Sequence, residues 1–377
     1  MKICFVTYQF NTGGVERVFC ALAKELRNYE VLLLPVTPNR DGMVDNIPDN
    51  VEFIDLHKKN CFRILNDLKK RLPCFARFFS VIYLLLEVIY VRLSKKFRNT
   101  VFINFSDTIS TLILSYYGSH IKKVYSWLHF NPKTIYASKF KKFYFYLYRR
   151  FYTIICICEE QKLLMSQVIP NLDLSKLTVI YNILDYPQIK QLSEERLSTE
   201  RAYIVMVARF DKRSKDFQTI IAAYSNLPLE IKKRYKLVFV GDGPDLAEVK
   251  ESLSDSADRE KIIFVGMQKN PYKWIKNASL LVHSSKTEGL PTVLLEALAC
   301  GTPVISTSCE TGPKEILDNG NAGILVNVGD VKAMSDAILT MLENDDLRSS
   351  YIKAGKKQLE KFSRNQILNK FDMLWKI

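Results

Sequence analysis

Two carboxylates eight residues apart, Glu288 and Glu296, stand in the segment KTEGLPTVLLEALACGTPVI at 286–305. Gly289 and Pro291 break the chain beside Glu288, and Thr292 is placed to cap a helix carrying Glu296 about one turn further in. The free N–H groups of that first turn would form an anion-binding concavity. A carboxylate that accepts two hydroxyl protons suits a vicinal diol, as in a ribose or a hexose. The alternative is a pair of helix-start acids held by the macrodipole. Arg209 and Lys215, six residues apart in ARFDKRSKDF, offer a guanidinium fork and a point charge able to clamp a diphosphate. Lys212 and Arg213 between them leave a merely basic loop as the other reading. The turn Gly241-Asp242-Gly243-Pro244 lets the backbone approach a ligand, and a tight turn explains it equally well. Gly13 and Gly14 follow the first apolar run, but they do not complete a G-x-G-x-x-G fingerprint, and no P-loop is present.

These residues need a scaffold, and the apolar runs supply one. KICFVT (2–7), YEVLLLPV (29–36), VEFIDL (51–56), VFINFSD (101–107), VYSWLH (124–129), YTIICIC (152–158) and LTVIYN (177–182) read as buried strands. The first is followed by VERVFCALAKEL, whose apolar positions Val15, Val18, Phe19, Leu22 and Leu26 have helical spacing. A polar stretch at 186–201 with little periodicity reads as a linker. The pattern then restarts with YIVMVAR (203–209), KLVFVGDG (236–243), KIIFVG (261–266), SLLVHSS (279–285), TPVIST (302–307) and AGILV (322–326). Two successive αβα units with parallel sheets are expected, with the ligand crevice at the carboxyl ends of the strands, between the domains.

Composition agrees. The chain of 377 residues is 47% hydrophobic and 25% charged, which excludes a disordered protein and is long enough for two domains. The opening run MKICF turns polar at Thr7, too short for a signal peptide. The eight cysteines lack framework spacing, so reduced thiols in a cytoplasmic protein are expected. The net charge of +14 is concentrated in residues 1–190, which hold 27 Lys and Arg against 15 Asp and Glu. A basic half seeks a polyanion, or else is a solvated surface with no single partner.

NTGGVER near the N-terminus, ARFDKRSK, the GDGP turn and EGLPTVLLEALACGTPVI together resemble the family-four retaining glycosyltransferases of the GT-B fold. The resemblance covers nearly the whole chain, and the paired-glutamate segment is its most specific part. It implies two Rossmann-like αβα domains facing each other across a cleft: residues 1–190 for the acceptor, 200–360 for a nucleotide sugar, and a final segment 361–377 packing back on the first. Carried over position by position, Glu288 matches the glutamate that contacts the donor sugar, and Glu296 the one that holds the ribose. Arg209 and Lys215 match the basic pair on the diphosphate. The main chain of Gly289, Leu290, Pro291 and Thr292 would face sugar and phosphate. Gly14 would let the N-terminal loop close over the diphosphate, Gly243 belongs to the glycine turn, and Gly266 would lie near the base. His129 resembles the histidine near the reacting carbon, so the resemblance makes His129, Glu288, Arg209 and Lys215 the catalytic set. Retention of configuration and a UDP-sugar donor are implied by the family alone.

Stabilising the departing nucleoside diphosphate is the largest chemical task, and cationic side chains with helix N–H groups can do it without a metal. No D-x-D triplet sits at a strand end, so neither metal nor cofactor is expected. For the acceptor, FFSVIYLLLEVIYV (78–91) lies between Arg77 and Arg92; it is too short to span a bilayer and is interrupted by Glu87, so it reads as a core or interfacial helix. KFKKFYFYLYRRFY (139–152) interleaves bases and aromatics, which suits an anionic membrane surface or a helix packed on its domain. Such interleaving can also hold single-stranded nucleic acid, but no RNA-binding motif accompanies it and no nucleic-acid partner is expected. The expected acceptor is a lipid-linked saccharide of envelope polysaccharide, capsule or lipopolysaccharide synthesis, reached from the inner face of the plasma membrane. A sugar-nucleotide epimerase, which would turn over donor without acceptor, and a non-catalytic saccharide- or lipid-binding protein are the rival readings.

Overall fold

A computed structural model describes residues 1–10, 13–37, 47–58, 64–65, 72–121, 123–197 and 202–374; the side chains of Pro73 and Arg77 are not described. Asn11 and Thr12 of the NTGGVER motif, residues 198–201 of the expected linker and residues 375–377 of the final segment therefore lie outside the described residues. The chain divides into two compact units, Met1–Leu184 and Asp185–Ile377.

In the first unit the strands β1 (Lys2–Thr7), β2 (Glu30–Pro35), β3 (Val51–Phe53), β4 (Thr100–Asn104), β5 (Val124–Trp127), β6 (Thr153–Cys156) and β7 (Leu177–Val179) form one sheet in the order β3-β2-β1-β4-β5-β6-β7. Every pairing is parallel. Strands buried on both faces must be apolar throughout, and this is why β1, β2 and β4 carry continuous apolar runs. Phe5, Phe19 and Phe105 meet edge to face at the centre of this unit, with centroids 5.2–5.9 Å apart. Among the described residues the helices of eight or more residues are α1 (Gly14–Glu25), α2 (Ala76–Leu93), α3 (Ile109–Gly118), α4 (Lys141–Tyr148) and α5 (Glu159–Val168).

The second unit repeats the plan. Strands β8 (Tyr203–Val207), β9 (Lys236–Val240), β10 (Ile262–Phe264), β11 (Leu280–His283), β12 (Val304–Thr307) and β13 (Ile324–Val326) are parallel in the order β10-β9-β8-β11-β12-β13. The comparable helices are α6 (Tyr186–Ser193), α7 (Phe217–Ser225), α8 (Thr292–Cys300), α9 (Val331–Glu343), α10 (Asp345–Gln358) and α11 (Arg364–Met373). The strand order reverses between β8 and β11, so the chain leaves these neighbouring strands in opposite directions. That reversal is where an open α/β sheet leaves a crevice at its carboxyl edge.

Two local expectations are corrected. Residues 186–193 are helix α6, not linker. Asp185 accepts the Gln188 N–H at 3.1 Å as N-cap and Pro187 stands in the first turn, a start signal that the polar composition concealed. This helix belongs to the second unit and packs on α8. Thr292 does not cap α8 either: Pro291 occupies the N-cap position, and no side chain caps the helix.

Candidate active site

The loops that follow β8 and β11 are stitched together. Asp216 N–H donates to Ser284 O at 3.0 Å, Lys286 N–H donates to Ser214 O at 2.8 Å, and Lys215 forms an isolated antiparallel bridge with Ser285. This register delivers the Lys215 ammonium onto Glu288 Oε1 as an ion pair. His283 Nε2 at 2.9 Å and the Ser285 hydroxyl at 2.6 Å reach the same oxygen. All three described donors meet Oε1, none of them Oε2. The sequence reading treats Lys215 and Glu288 as separate ligand contacts; the structure pairs them with each other. Thr307 fixes the loop from beneath: its hydroxyl accepts from Ser285 N–H and donates to Ser285 O, both at 2.8 Å.

Burial by itself would raise the Glu288 carboxyl. The Lys215 charge and the His283 hydrogen bond outweigh it and hold the group well below the usual carboxylate range. Burial and then Lys215 lower His283, which Glu288 only partly restores, so the imidazole stays neutral and gives its Nε2–H to the carboxylate. The result is an ionised, water-shielded carboxylate with one oxygen engaged by protein.

The next turn is braced from β12. Thr311 donates its hydroxyl to Glu288 O. Gly312, at φ +93°, passes so close that a Cβ there would stand 2.5 Å from Pro291 Cδ and 2.9 Å from Gly289 O. Only glycine tolerates both the left-handed backbone and this approach. Gly289, Leu290 and Pro291 are buried under it, and the uncapped first turn of α8 begins at Thr292. Glu296, 3% exposed, lies in that helix. Its charge adds to burial in raising the hydroxyl of Tyr186 on α6 and the thiol of Cys300, the latter to about 12. The two glutamates therefore have different surroundings: Glu288 sits in the β8–β11 loops and Glu296 against α6.

Arg209 is exposed in the loop after β8. Arg213 grips Asp211 at 2.9 and 2.7 Å and, with Arg209 further off, holds that carboxyl below its usual range. Gly243 presses on the same loop: Phe210 N–H donates to Asp242 O at 3.0 Å, and a Cβ on Gly243 would lie 2.6 Å from Phe210 N. A close backbone contact accounts for this glycine. Gly266, at φ +71°, has open space where a Cβ would be, and its carbonyl accepts Gly241 N–H at 2.9 Å.

The remaining two residues are in the first unit. Gly14 opens α1 and is exposed. His129 follows β5, edge-on to Phe105 at 4.4 Å and parallel to Trp127 at 6.2 Å. Burial lowers its imidazole to about 3, so it is neutral near pH 7. Its main-chain N–H donates to Asp107 Oδ2 at 2.8 Å. Burial pushes the Asp107 carboxyl well up, against the lowering effect of that amide and of Tyr148.

His283, Ser285, Thr311 and Asp107 were not picked out from the sequence. His283 carried a usable signal, since it ends a buried strand in LLVH as His129 follows one in YSWLH. Ser285 and Thr311 carried none.

Residues 188–358 match the family described as glycosyl transferases group 1. A Campylobacter jejuni N-acetylgalactosamine-N,N'-diacetylbacillosaminyl-diphospho-undecaprenol 4-alpha-N-acetylgalactosaminyltransferase is 30% identical over 205 residues, 54% of this chain and 55% of that protein. The chain thus spans about half the length of this relative. A second Campylobacter jejuni protein, a GalNAc-alpha-(1->4)-GalNAc-alpha-(1->3)-diNAcBac-PP-undecaprenol alpha-1,4-N-acetyl-D-galactosaminyltransferase, is 24% identical over 97% of this chain and 96% of its own. Among solved structures, Anabaena Alr3699/HepE in complex with UDP and glucose superposes with a TM-score of 0.75 at 18% identity, covering 100% of both chains. The fold is therefore GT-B, built from two Rossmann-like units. Residues 188–358, which carry the stitched β8–β11 loops, α8 and both glutamates, are the part of the chain that is similar to the glycosyl transferases group 1 family.

Proposed function

We propose that this chain is a retaining glycosyltransferase that moves a hexose or N-acetylhexosamine from a UDP-sugar to a lipid-linked saccharide in bacterial envelope polysaccharide synthesis. The observation that carries the reading is the placement of the Arg209–Lys215 loop and the Glu288 loop together where the strand order reverses, beside the uncapped start of α8. Glu288 Oε2 accepts hydroxyl protons of the donor sugar while Oε1 stays fixed by Lys215, His283 and Ser285. Arg209, Lys215 and the N–H groups from Gly289 to Thr292 take the charge of the departing diphosphate without a metal. Glu296 holds the ribose and Gly266 lies by the base; for His129, carried by the first unit, the family resemblance implies a place near the reacting carbon. The lipid-linked acceptor is supported by the names of the two Campylobacter jejuni relatives, both of which carry an undecaprenol diphosphate. The acceptor is reached from a peripheral position on the inner face of the plasma membrane; no described helix is long and apolar enough to cross a membrane.

Calorimetry and thermal shift with UDP-, GDP- and ADP-sugars in EDTA, on the native protein and Glu296→Ala, test the donor half. One nucleotide sugar binds saturably without metal, and the variant loses roughly 1–3 kcal/mol of affinity through broken charged hydrogen bonds. Binding of none of them refutes the transferase reading and leaves the protein a non-catalytic member of its fold.

A further inference from the structure

Helix α2 (Ala76–Leu93) is turned the wrong way round for a helix on a water-soluble surface. Its one acid, Glu87, is fully buried, on a face shared with Tyr83 and Val91. Phe78, Val81, Leu85, Ile89 and Leu93 are 50–74% exposed. Their spacing of three or four residues sets them on one side of the helix, as a stripe about 22 Å long. Scattered exposed aliphatics are ordinary, but a continuous stripe marks a contact surface.

The segment that carries the stripe is cationic. Residues 72–150 hold 13 Lys and Arg and only two acids, Glu87 and Asp107. Glu87 is buried, and Asp107 accepts a main-chain N–H from His129. Exposed Lys95 and Arg98 follow the end of α2. Arg92 ties that end to α3, donating to Tyr117 O at 3.2 Å and Ser119 O at 2.8 Å. Tyr117 in turn hydrogen-bonds Tyr146 of α4, over whose ring Arg150 lies at 3.5 Å. Amphipathic rings and basic groups thus continue from the stripe across one surface of the first unit. A second copy of the chain would bring like charges together, whereas an anionic bilayer offers both a hydrocarbon boundary and phosphates.

We propose that α2 is the element that seats the first unit on an anionic lipid bilayer, with the Phe78–Leu93 stripe at the headgroup–acyl boundary and Lys95 and Arg98 on lipid phosphates. The proposal rests on the lipid-linked-acceptor reading for its purpose, but not for its physics. It also gives the leading role to α2 over the 139–152 segment, where Leu147 and Tyr148 are buried in the protein.

Flotation of the full chain with phosphatidylglycerol–phosphatidylethanolamine vesicles, against phosphatidylcholine vesicles, tests it. The native protein floats with the anionic vesicles. Leu85→Ser with Ile89→Ser lowers the partition coefficient at least about tenfold without lowering the melting temperature, because both side chains already face solvent. Lys95→Glu with Arg98→Glu weakens binding to anionic vesicles only, and added salt mimics it. Native protein that does not float, a serine variant that floats equally well, or a native dimer that the serine variant dissociates would each overturn the proposal. Sugar transfer to a tail-less soluble acceptor keeps the two ideas apart. Flotation without transfer to any acceptor upholds α2 docking and sinks the enzymatic reading; transfer without flotation does the reverse.

Discussion

Replacing Lys215 by Met leaves the Glu288 carboxylate in a water-shielded loop with only His283 and Ser285 as donors. The two side chains are 15% and 12% exposed, so the pair belongs near the buried end of ion-pair energetics. Removing one partner of a buried pair costs about 3–5 kcal/mol; the residual exposure brings the expectation to roughly 3 kcal/mol. Glu288→Gln strands the Lys215 ammonium instead, but that charge sits on a long flexible stem that can turn toward water, so the cost should be smaller, about 1–2 kcal/mol. In the double variant neither charge is stranded, so the cycle should give a coupling of roughly 2 kcal/mol. Urea unfolding at pH 7 measures all four species. The pH dependence follows in sign: the folded-state pKa of Glu288 lies below its unfolded value, so the stability it adds is complete above the ordinary carboxylate range. It is lost as the pH falls below that range, and the coupling should shrink with it. A coupling below about 0.5 kcal/mol at pH 7, or one unchanged in acid, would refute the ion pair as the organiser of this loop and return Lys215 to the role of a free phosphate ligand.

Glu87 carries the opposite sign. Burial raises its carboxyl to about 9, so the stability of its neutral form is complete below the ordinary carboxylate pKa and is lost as the pH rises toward 9. Glu87→Gln should therefore raise stability at pH 7 by roughly 3 kcal/mol and flatten the melting temperature between pH 5 and 9; an unchanged pH slope would contradict it. His129, lowered to about 3 by burial, should show no imidazole titration by NMR between pH 8 and 5, and a midpoint near the usual 6.5 would place the ring in water. Gly312→Ala should cost about 2–4 kcal/mol and weaken donor binding, whereas Gly320→Ala, also left-handed but with nothing within 4 Å of its would-be Cβ, should cost only about 1 kcal/mol. Equal losses at the two positions would show that backbone strain, not the approach to Pro291, sets the effect.

The thirteen strands among the described residues lie within the runs that the sequence marks as apolar, give or take a residue, because a parallel strand covered on both faces admits no polar alternation. Polar composition misleads where it hides an end signal. The stretch from Tyr186 is polar, yet Asp185 and Pro187 are a helix start, and the resulting α6 supplies one wall around Glu296. At Thr292 the fault is of the opposite kind: a good capping residue sits one position inside the helix because Gly312 presses Pro291 into the N-cap place, a contact made across 21 residues of sequence.

The candidate site was half legible for a related reason. Glu288, Glu296, Arg209 and Lys215 lie in short segments whose spacing means something by itself. What the sequence could not yield is which of these groups spend their charge on one another. That depends on the register between the 208–216 and 284–291 loops, fixed by two main-chain hydrogen bonds, Asp216 to Ser284 and Lys286 to Ser214. His283 and Ser285 join the site only through that register. Helix α2 makes the same point from the outside. In FFSVIYLLLEVIYV the sequence shows only that Glu87 interrupts an apolar run; the structure buries Glu87 beside Tyr83 and Val91, and the aliphatics on the far side are left in solvent. A buried carboxyl kept neutral is expensive, and so is an exposed aliphatic stripe. One helix bearing both fits a place where something apolar and anionic meets its outer face, and this is what the proposed seat of α2 on an anionic bilayer supplies.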